Sequence, residues 1–391
     1  MDHAAANPVR PEVLDAMHPF FVQRFGNPSA VYDLGSEIKE VMEEQRAKVA
    51  LLLGARAEEI IFTSSGAEAN NLAIKGVALA NLNKGRHLVV SAIEHHSVLN
   101  TARFLEKFFD FEVTFLPVDK YGRVEAERLQ RSLTPATVLV SILHGSNEIG
   151  TIQDLPGLSA VCRGEGIPFH TDAVATAGNV PVGVKELGVD LLTISGPALG
   201  GPKGIGALYF RNKLRLVPQI HGGIQESGRR AGTENIPGIV GLGRAAELAL
   251  NELNQRGKYL AGLRDRLVQG IIARVPHVVY TGHPEQRLPG LASFCIEGIE
   301  GEALLFMLSQ KGIYANTGSA CASKALKVSP VLVAIGLSPE LAQGSLVFTL
   351  GPDNREEDVD YVLTHLPPAV EKLRSFSPVW RKIMASAEGS Q

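Results

Sequence analysis

The sequence predicts an α/β protein: a large domain on a mostly parallel sheet covered on both faces, joined to a smaller α+β domain. Three observations lead there. Between residues 58 and 194, short apolar runs of strand length alternate with runs of helical periodicity. After Pro237 the alternation gives way to long helical runs and scattered short strands. Apolar residues make up 45% of the 391 positions, which permits a large core and argues against disorder. The expected division is a large domain over 13–250 and a small one made of 1–12 and 251–391.

Asp2 to Pro8 reads as an extended arm. A helix over 11–21 places Val13, Met17 and Phe20 on its apolar face, and Gly26-Asn27-Pro28-Ser29 is a turn. An amphipathic helix over 36–53 ends at Gly54. A buried strand over 58–62 then runs into Thr63-Ser64-Ser65-Gly66, which opens the next helix. Such a strand-to-helix turn offers free N–H groups and a positive dipole end to an anion; it also reads as an ordinary helix N-cap.

Strands over 87–93, 111–117, 138–144, 167–171 and 191–194 alternate with helices over 95–107, 125–133 and 157–164. In such sheets ligands sit beyond the carboxyl ends of the strands. That rule selects 64–66, 94–96, 144–147, Asp172 and the stretch from Ser195. The stretch between strand-like runs 191–194 and 205–210 holds four glycines, two prolines, Ser195 and Lys203, more turn chemistry than a plain connection needs. Beyond it lie helices over 239–253 and 258–272, strands over 278–280 and 291–296, a helix over 302–310, a loop over 315–324 and a strand over 345–350. A helix over 356–365 is expected to stop at Pro367-Pro368, with another beginning at Ala369.

The formal net charge of −3 argues against nucleic acid as a partner. No apolar run reaches the roughly 18 residues of a membrane span, and the N-terminus lacks a secretion signal. Cys162, Cys295 and Cys321 are too few and too scattered for a disulfide framework. A soluble cytoplasmic protein with reduced thiols is the expectation. No spacing typical of a mononuclear metal site occurs.

Five places carry polar groups suited to chemistry. His95, at the end of a strand, can stack on a flat ring or cap a helix. Asn147 can bond a phenolic oxygen or close its own turn. Asp172, at a buried strand end, needs a partner, either a protonated ring nitrogen or a backbone N–H. The loop Arg229-Arg230-Ala231-Gly232-Thr233-Glu234-Asn235 can hold a phosphate, across a subunit interface, or be a solvated charge cluster. Cys321, among small residues and near Lys324, suits a reactive exposed thiol or an incidental loop cysteine. Cys162 and Cys295 read as core.

Together these residues resemble the cysteine desulfurase family of NifS/IscS type, class V of the fold type I pyridoxal-phosphate enzymes. The anchors span the chain: Gly26-Asn27-Pro28-Ser29, Glu59 to Ser64 with Glu68 and Asn71, Glu94-His95-His96, Asn147-Glu148-Ile149-Gly150 and Asp172-Ala173. They continue through Gly201-Pro202-Lys203-Gly204-Ile205-Gly206, His221-Gly222-Gly223, Arg230 to Asn235 and Thr317-Gly318-Ser319-Ala320-Cys321. The resemblance implies a fold type I homodimer, pyridoxal phosphate as cofactor, and a role in sulfur mobilisation or iron–sulfur assembly with a sulfur-acceptor or scaffold protein as partner. It assigns cofactor contacts to His95, Asn147, Asp172, Ser195 and Thr233. Cys321 becomes the catalytic sulfur acceptor or, through an iron–sulfur cluster, a metal ligand.

The chain departs from the family where covalent chemistry is concerned. The cofactor lysine falls on Ala198 and the histidine before it on Pro197. The phosphate threonine falls on Ala67, the glutamine near the ring oxygen on Ala175, and the arginine clamping the substrate carboxylate on Pro352. Some relatives of archaeal type also lack the lysine and are linked to cluster binding through the mobile cysteine. A non-catalytic scaffold, and a desulfurase using Lys203 as a substitute amine, remain as alternatives.

Overall fold

A computed structural model describes residues 1–5, 7–318 and 328–388, with side chains to 385. Cys321 therefore lies outside the described residues. Seven strands form the main sheet: β1 (Ile60–Thr63), β2 (His87–Ser91), β3 (Glu112–Leu116), β4 (Thr137–Ser141), β5 (Phe169–Asp172), β6 (Leu191–Ser195) and β7 (Gly206–Phe210). Their order is β1-β7-β6-β5-β4-β2-β3. From β6 to β3 all neighbours are parallel, whereas β7 is antiparallel to both β6 and β1. The short link between β6 and β7 explains the reversal, because a parallel return needs a crossover of a dozen or more residues. With β7 reversed, β1 runs the same way as β6, and Thr63 and Ser195 both face Gly206 in register. The carboxyl ends of β1, β4, β5 and β6 thus share one edge.

The strands read as continuous apolar runs because both faces are buried. Ile60, Phe62, Val89, Val140, Leu192 and Ile194 enter the core beneath helices Pro11–Met17, Asp33–Leu53 and Ile236–Arg274. The alternate residues Ile61, Leu88, Val90, Leu139 and Leu191 enter the core beneath helices Gly66–Ala80 and His96–Phe109. A second sheet, β8 (Val278–Tyr280), β9 (Leu291–Ile296) and β10 (Ser345–Thr349), is antiparallel in the order β10-β9-β8. It packs with helix Glu356–Phe376 and the second half of Ile236–Arg274 around Phe294, Phe348 and Leu346.

The helices differ from expectation at three places. The run over 11–21 is two pieces, Pro11–Met17 and Pro19–Val22, divided where Pro19 lacks an N–H. The two helices expected over 239–253 and 258–272 are one, Ile236–Arg274. Gly257 inside a helix costs only about 1 kcal/mol, and each half of this helix is anchored in a different core. The domain boundary expected at 250/251 falls within it. Finally, Pro367 and Pro368 do not stop their helix, which runs unbroken over Glu356–Phe376. Pro367 leaves the carbonyl of Leu363 without its helical donor, and Arg274 Nη1 supplies one at 3.0 Å. Leu366, Ala369 and Val370 remain buried on either side of the prolines.

Candidate active site

A cleft of about 370 Å³ opens over the shared strand edge, lined from one end to the other by both sheets and the N-terminal arm. At its floor Asp172, which is buried, ends β5. Its Oδ2 accepts from Asn70 Nδ2 at 2.7 Å and its Oδ1 from the Val174 N–H at 2.9 Å. The same Asn70 amide donates to Ser97 Oγ at 2.8 Å. Ser97 in turn meets His95 Nδ1, side chain to ring at 2.7 Å and backbone N–H to ring at 3.2 Å. One asparagine thus ties the carboxylate under the cleft to the imidazole at its wall. His95 is the N-cap of helix His96–Phe109, and its exposed ring also lines the cleft. Because Nδ1 accepts, the neutral ring carries its proton on Nε2.

Behind this floor Glu94 is fully buried and pushed up to about 8, by burial and by the charge of Asp172, despite hydrogen bonds from Ser91 and the Leu143 N–H. It is therefore a neutral acid at pH 7. His170, beneath Asp172 in the same strand, is pushed down to about 3 by burial and sits between Ser141 and Thr193.

The opposite end is a cup of backbone. Helix Gly66–Ala80 begins there, capped by Ser65 Oγ, which accepts from the Glu68 N–H at 3.1 Å. A Cβ on Gly206 would come within 2.9 Å of the Gly66 nitrogen, and one on Gly66 within 2.9 Å of Val174. Both glycines let β7, β1 and the helix start close on one another, and Ser65, Gly66 and Ala67 of that helix start line the cleft beside Ser195.

The candidate residues divide clearly. His95, Asn147, Asp172 and Ser195 line the cleft together. Thr233 does not; it is exposed on its loop. In that loop Arg230 is bound to Glu68 at 2.9 Å, and the Arg229 guanidinium lies over the Phe210 ring. Burial works against the Glu68 charge, yet Arg230 and Ser64 hold its carboxyl below the usual range. Cys162 and Cys295 are buried and pushed up to about 12, as core thiols are. Three functional candidates escaped the sequence reading: Asn70, Ser97 and Arg256, of which the first two are joined as above and the third also lines the cleft. A buried asparagine one turn into an anion-type helix start was the only available signal for Asn70.

The positions of departure also converge. Ala67, Ala175, Ala198 and Pro352 all line this cleft. Ala198 lies in the one-turn helix Pro197–Leu199 directly after β6. No lysine lines the cleft, and Lys203 is exposed outside it. Tested against pyridoxal phosphate, the lining matches the flat ring and its phosphate: a carboxylate held at the floor, an imidazole at the wall, a backbone cup at the end. It does not match a covalently held cofactor, because no amine reaches the cleft among the described residues. Those residues also hold no cluster of His, Cys, Asp and Glu fit for a metal ion, and no helix long and apolar enough to cross a membrane.

The comparisons agree with this geometry. The family profile Aminotransferase class-V matches residues 1–362. Cysteine desulfurase IscS of Methanosarcina thermophila is 50% identical over 382 residues, covering 98% of this chain and 94% of that protein. A solved structure described as a NifS-like protein superposes with a TM-score of 0.89 at 36% identity, covering 95% of this chain and 99% of that one. Another, SspA in complex with cysteine, gives a TM-score of 0.80 at 35% identity over 90% of this chain and 98% of that one. The chain belongs to the aminotransferase class-V family, and within it to the cysteine desulfurases of IscS/NifS type with their fold type I architecture.

Proposed function

We propose that this chain serves sulfur mobilisation and iron–sulfur cluster assembly through Cys321, without a pyridoxal phosphate bound to a lysine of its own. Pyridoxal phosphate is the family's cofactor, and it supplies an electron sink to reactions at an amino-acid substrate. The single observation carrying the proposal is the joint placement of Ala67, Ala175, Ala198 and Pro352 around one cleft that keeps its ring-stacking and ring-nitrogen positions, His95 and Asp172. Loss of the attachment lysine and the substrate clamp, together with a phosphate and a ring-oxygen contact, is what a change of task leaves behind.

On this reading Asp172, His95, Asn147 and Ser195 hold a ring non-covalently or preserve the cleft's shape. Cys321 takes sulfur from outside: its thiolate attacks the outer sulfur of a donor persulfide, and the donor's thiolate leaves. Alternatively it ligates a cluster shared with a scaffold protein. The exposed position of Thr233, with Ile224 and Val31 also exposed, supports a homodimer in which Thr233 serves the cleft of a second copy. A cytoplasmic location fits reduced thiols. The exposure of Lys203 outside the cleft speaks against its use as a substitute amine.

The test is anaerobic purification of the full chain and its Cys321→Ser variant, followed by assay for iron, acid-labile sulfide and persulfide. Sulfur or iron present in the natural chain and lost in the variant supports the proposal. If the natural chain carries neither, even after incubation with a persulfide donor, Cys321 has no such role and a scaffold remains.

A further inference from the structure

Arg256 projects from helix Ile236–Arg274 into the cleft wall, where a Cβ on Gly178 would stand 3.1 Å from its Nη2 and 2.7 Å from Leu199. It lies next to the turn that carries Ala198. Its side chain is only 12% exposed, and its Nε has no hydrogen-bond partner. Its ion pair is a long one, 3.9 Å to Glu252. Both oxygens of Glu252 are already taken by Arg10, at 2.7 and 2.9 Å. Two arginines therefore share one carboxylate at a cleft wall, and one of them is left with unused donors. Burial weakens the hold of Arg256 on its proton; Glu252 opposes this and Arg10 adds to it. A buried guanidinium with unmet donors is costly unless an anion completes it. Its planar fork suits a carboxylate held by two parallel hydrogen bonds. The other carboxylate on the lining, Asp353, is exposed at the rim.

We propose that Arg256 is the carboxylate-binding residue of this cleft, taking the α-carboxylate of a small amino-acid ligand in the role that Pro352 cannot fill. Pro352 and Arg256 line the same cavity. The proposal rests on the reading above that the cleft has kept its floor and lost its family clamp. It requires no reaction there.

Equilibrium dialysis of radiolabelled L-cysteine against the full chain as purified tests it. L-Cysteine is expected to bind. 3-Mercaptopropionate, which keeps the carboxylate, is expected to displace it, and cysteamine, which lacks one, is not. Inorganic sulfate at equal concentration is also expected to fail, which separates a carboxylate fork from a general anion site. Arg256→Gln is expected to weaken binding about tenfold, the loss of a charge-assisted pair, and Arg256→Lys to recover part of it. If Arg256→Gln does not fold, phenylglyoxal labelling of the natural chain replaces it, with Arg256 expected to be protected by 3-mercaptopropionate. No binding by the natural chain, unchanged binding in a folded Arg256→Gln, equal competition by cysteamine or sulfate, or absence of protection overturns the proposal. Sulfur on Cys321 is not read in this experiment, so its failure leaves the sulfur-handling reading intact, and the reverse also holds.

Discussion

Asn70 shows how few atoms hold the site together. Its amide spends both hydrogens, one on Asp172 and one on Ser97, while its Oδ1 is buried without a partner. The floor of the cleft is thereby fixed by protein alone. Asn70→Ala removes a hydrogen bond to a charged group, worth about 1.5–3 kcal/mol, and is expected to lower unfolding free energy by about that amount in urea titration. A change under about 0.3 kcal/mol would show that Asp172 is held by other means. Only its place one turn into the helix start pointed to Asn70, whose partner Asp172 is 102 residues away. His95, Asn147, Asp172 and Ser195 were legible because the carboxyl-end rule needs only strand positions. Arg256 was illegible for the opposite reason: it sits among polar residues in a helix where any of them could face solvent.

At the scale of elements, the segment before Thr233 is pinned from below. Glu226 adopts a left-handed conformation, φ 48°, and is buried against Arg46, whose Nη1 and Nη2 reach it at 2.7 and 2.8 Å. The same carboxylate accepts from the Phe62 N–H at 2.8 Å, joining this loop to β1. Glu226→Gln leaves buried Arg46 with only the half-exposed Glu43, at 3.2 Å, as counter-charge and is expected to cost about 3 kcal/mol. A loss below about 1 kcal/mol in urea titration would mean that the loop moves and hydrates Arg46. Elements were readable wherever burial imposed a period. They were misread at the join in Ile236–Arg274 and at Pro367-Pro368, where turn-forming residues sit inside helices held by distant packing and by Arg274.

For the molecule as a whole, four groups, three of them buried and Glu148 partly so, contribute strongly to the dependence of stability on pH. Burial lowers His144 from 6.5 to about 4 and His170 to about 3, and raises Glu94 from 4.5 to about 8 and Glu148 to about 7. Between pH 4.5 and 6.5 the unfolded chain binds the histidine protons and the native chain keeps the carboxyl protons, so the two effects oppose. Above 6.5 these histidines no longer act; the two carboxyls keep protons in the native chain, and their contribution falls as pH rises toward 8. Below 4.5 the histidines act together with carboxyls held low, such as Glu68, and stability falls as pH falls toward 3. Glu94→Gln, which mimics the neutral acid, is expected to flatten the upper limb and leave the lower one unchanged in thermal melts across this range. An upper limb of unaltered slope would show that Glu94 is ionised in the native chain.

Over the same whole molecule, the proposed reading separates family fold from family chemistry: a fold type I framework surrounds a cleft that no lysine lines among the described residues. Sulfide release from L-cysteine, with added pyridoxal phosphate and a thiol reductant, tests this most directly. The full chain is expected to release sulfide no faster than pyridoxal phosphate does alone. Release well above that background, abolished by Lys203→Ala or not, would contradict it.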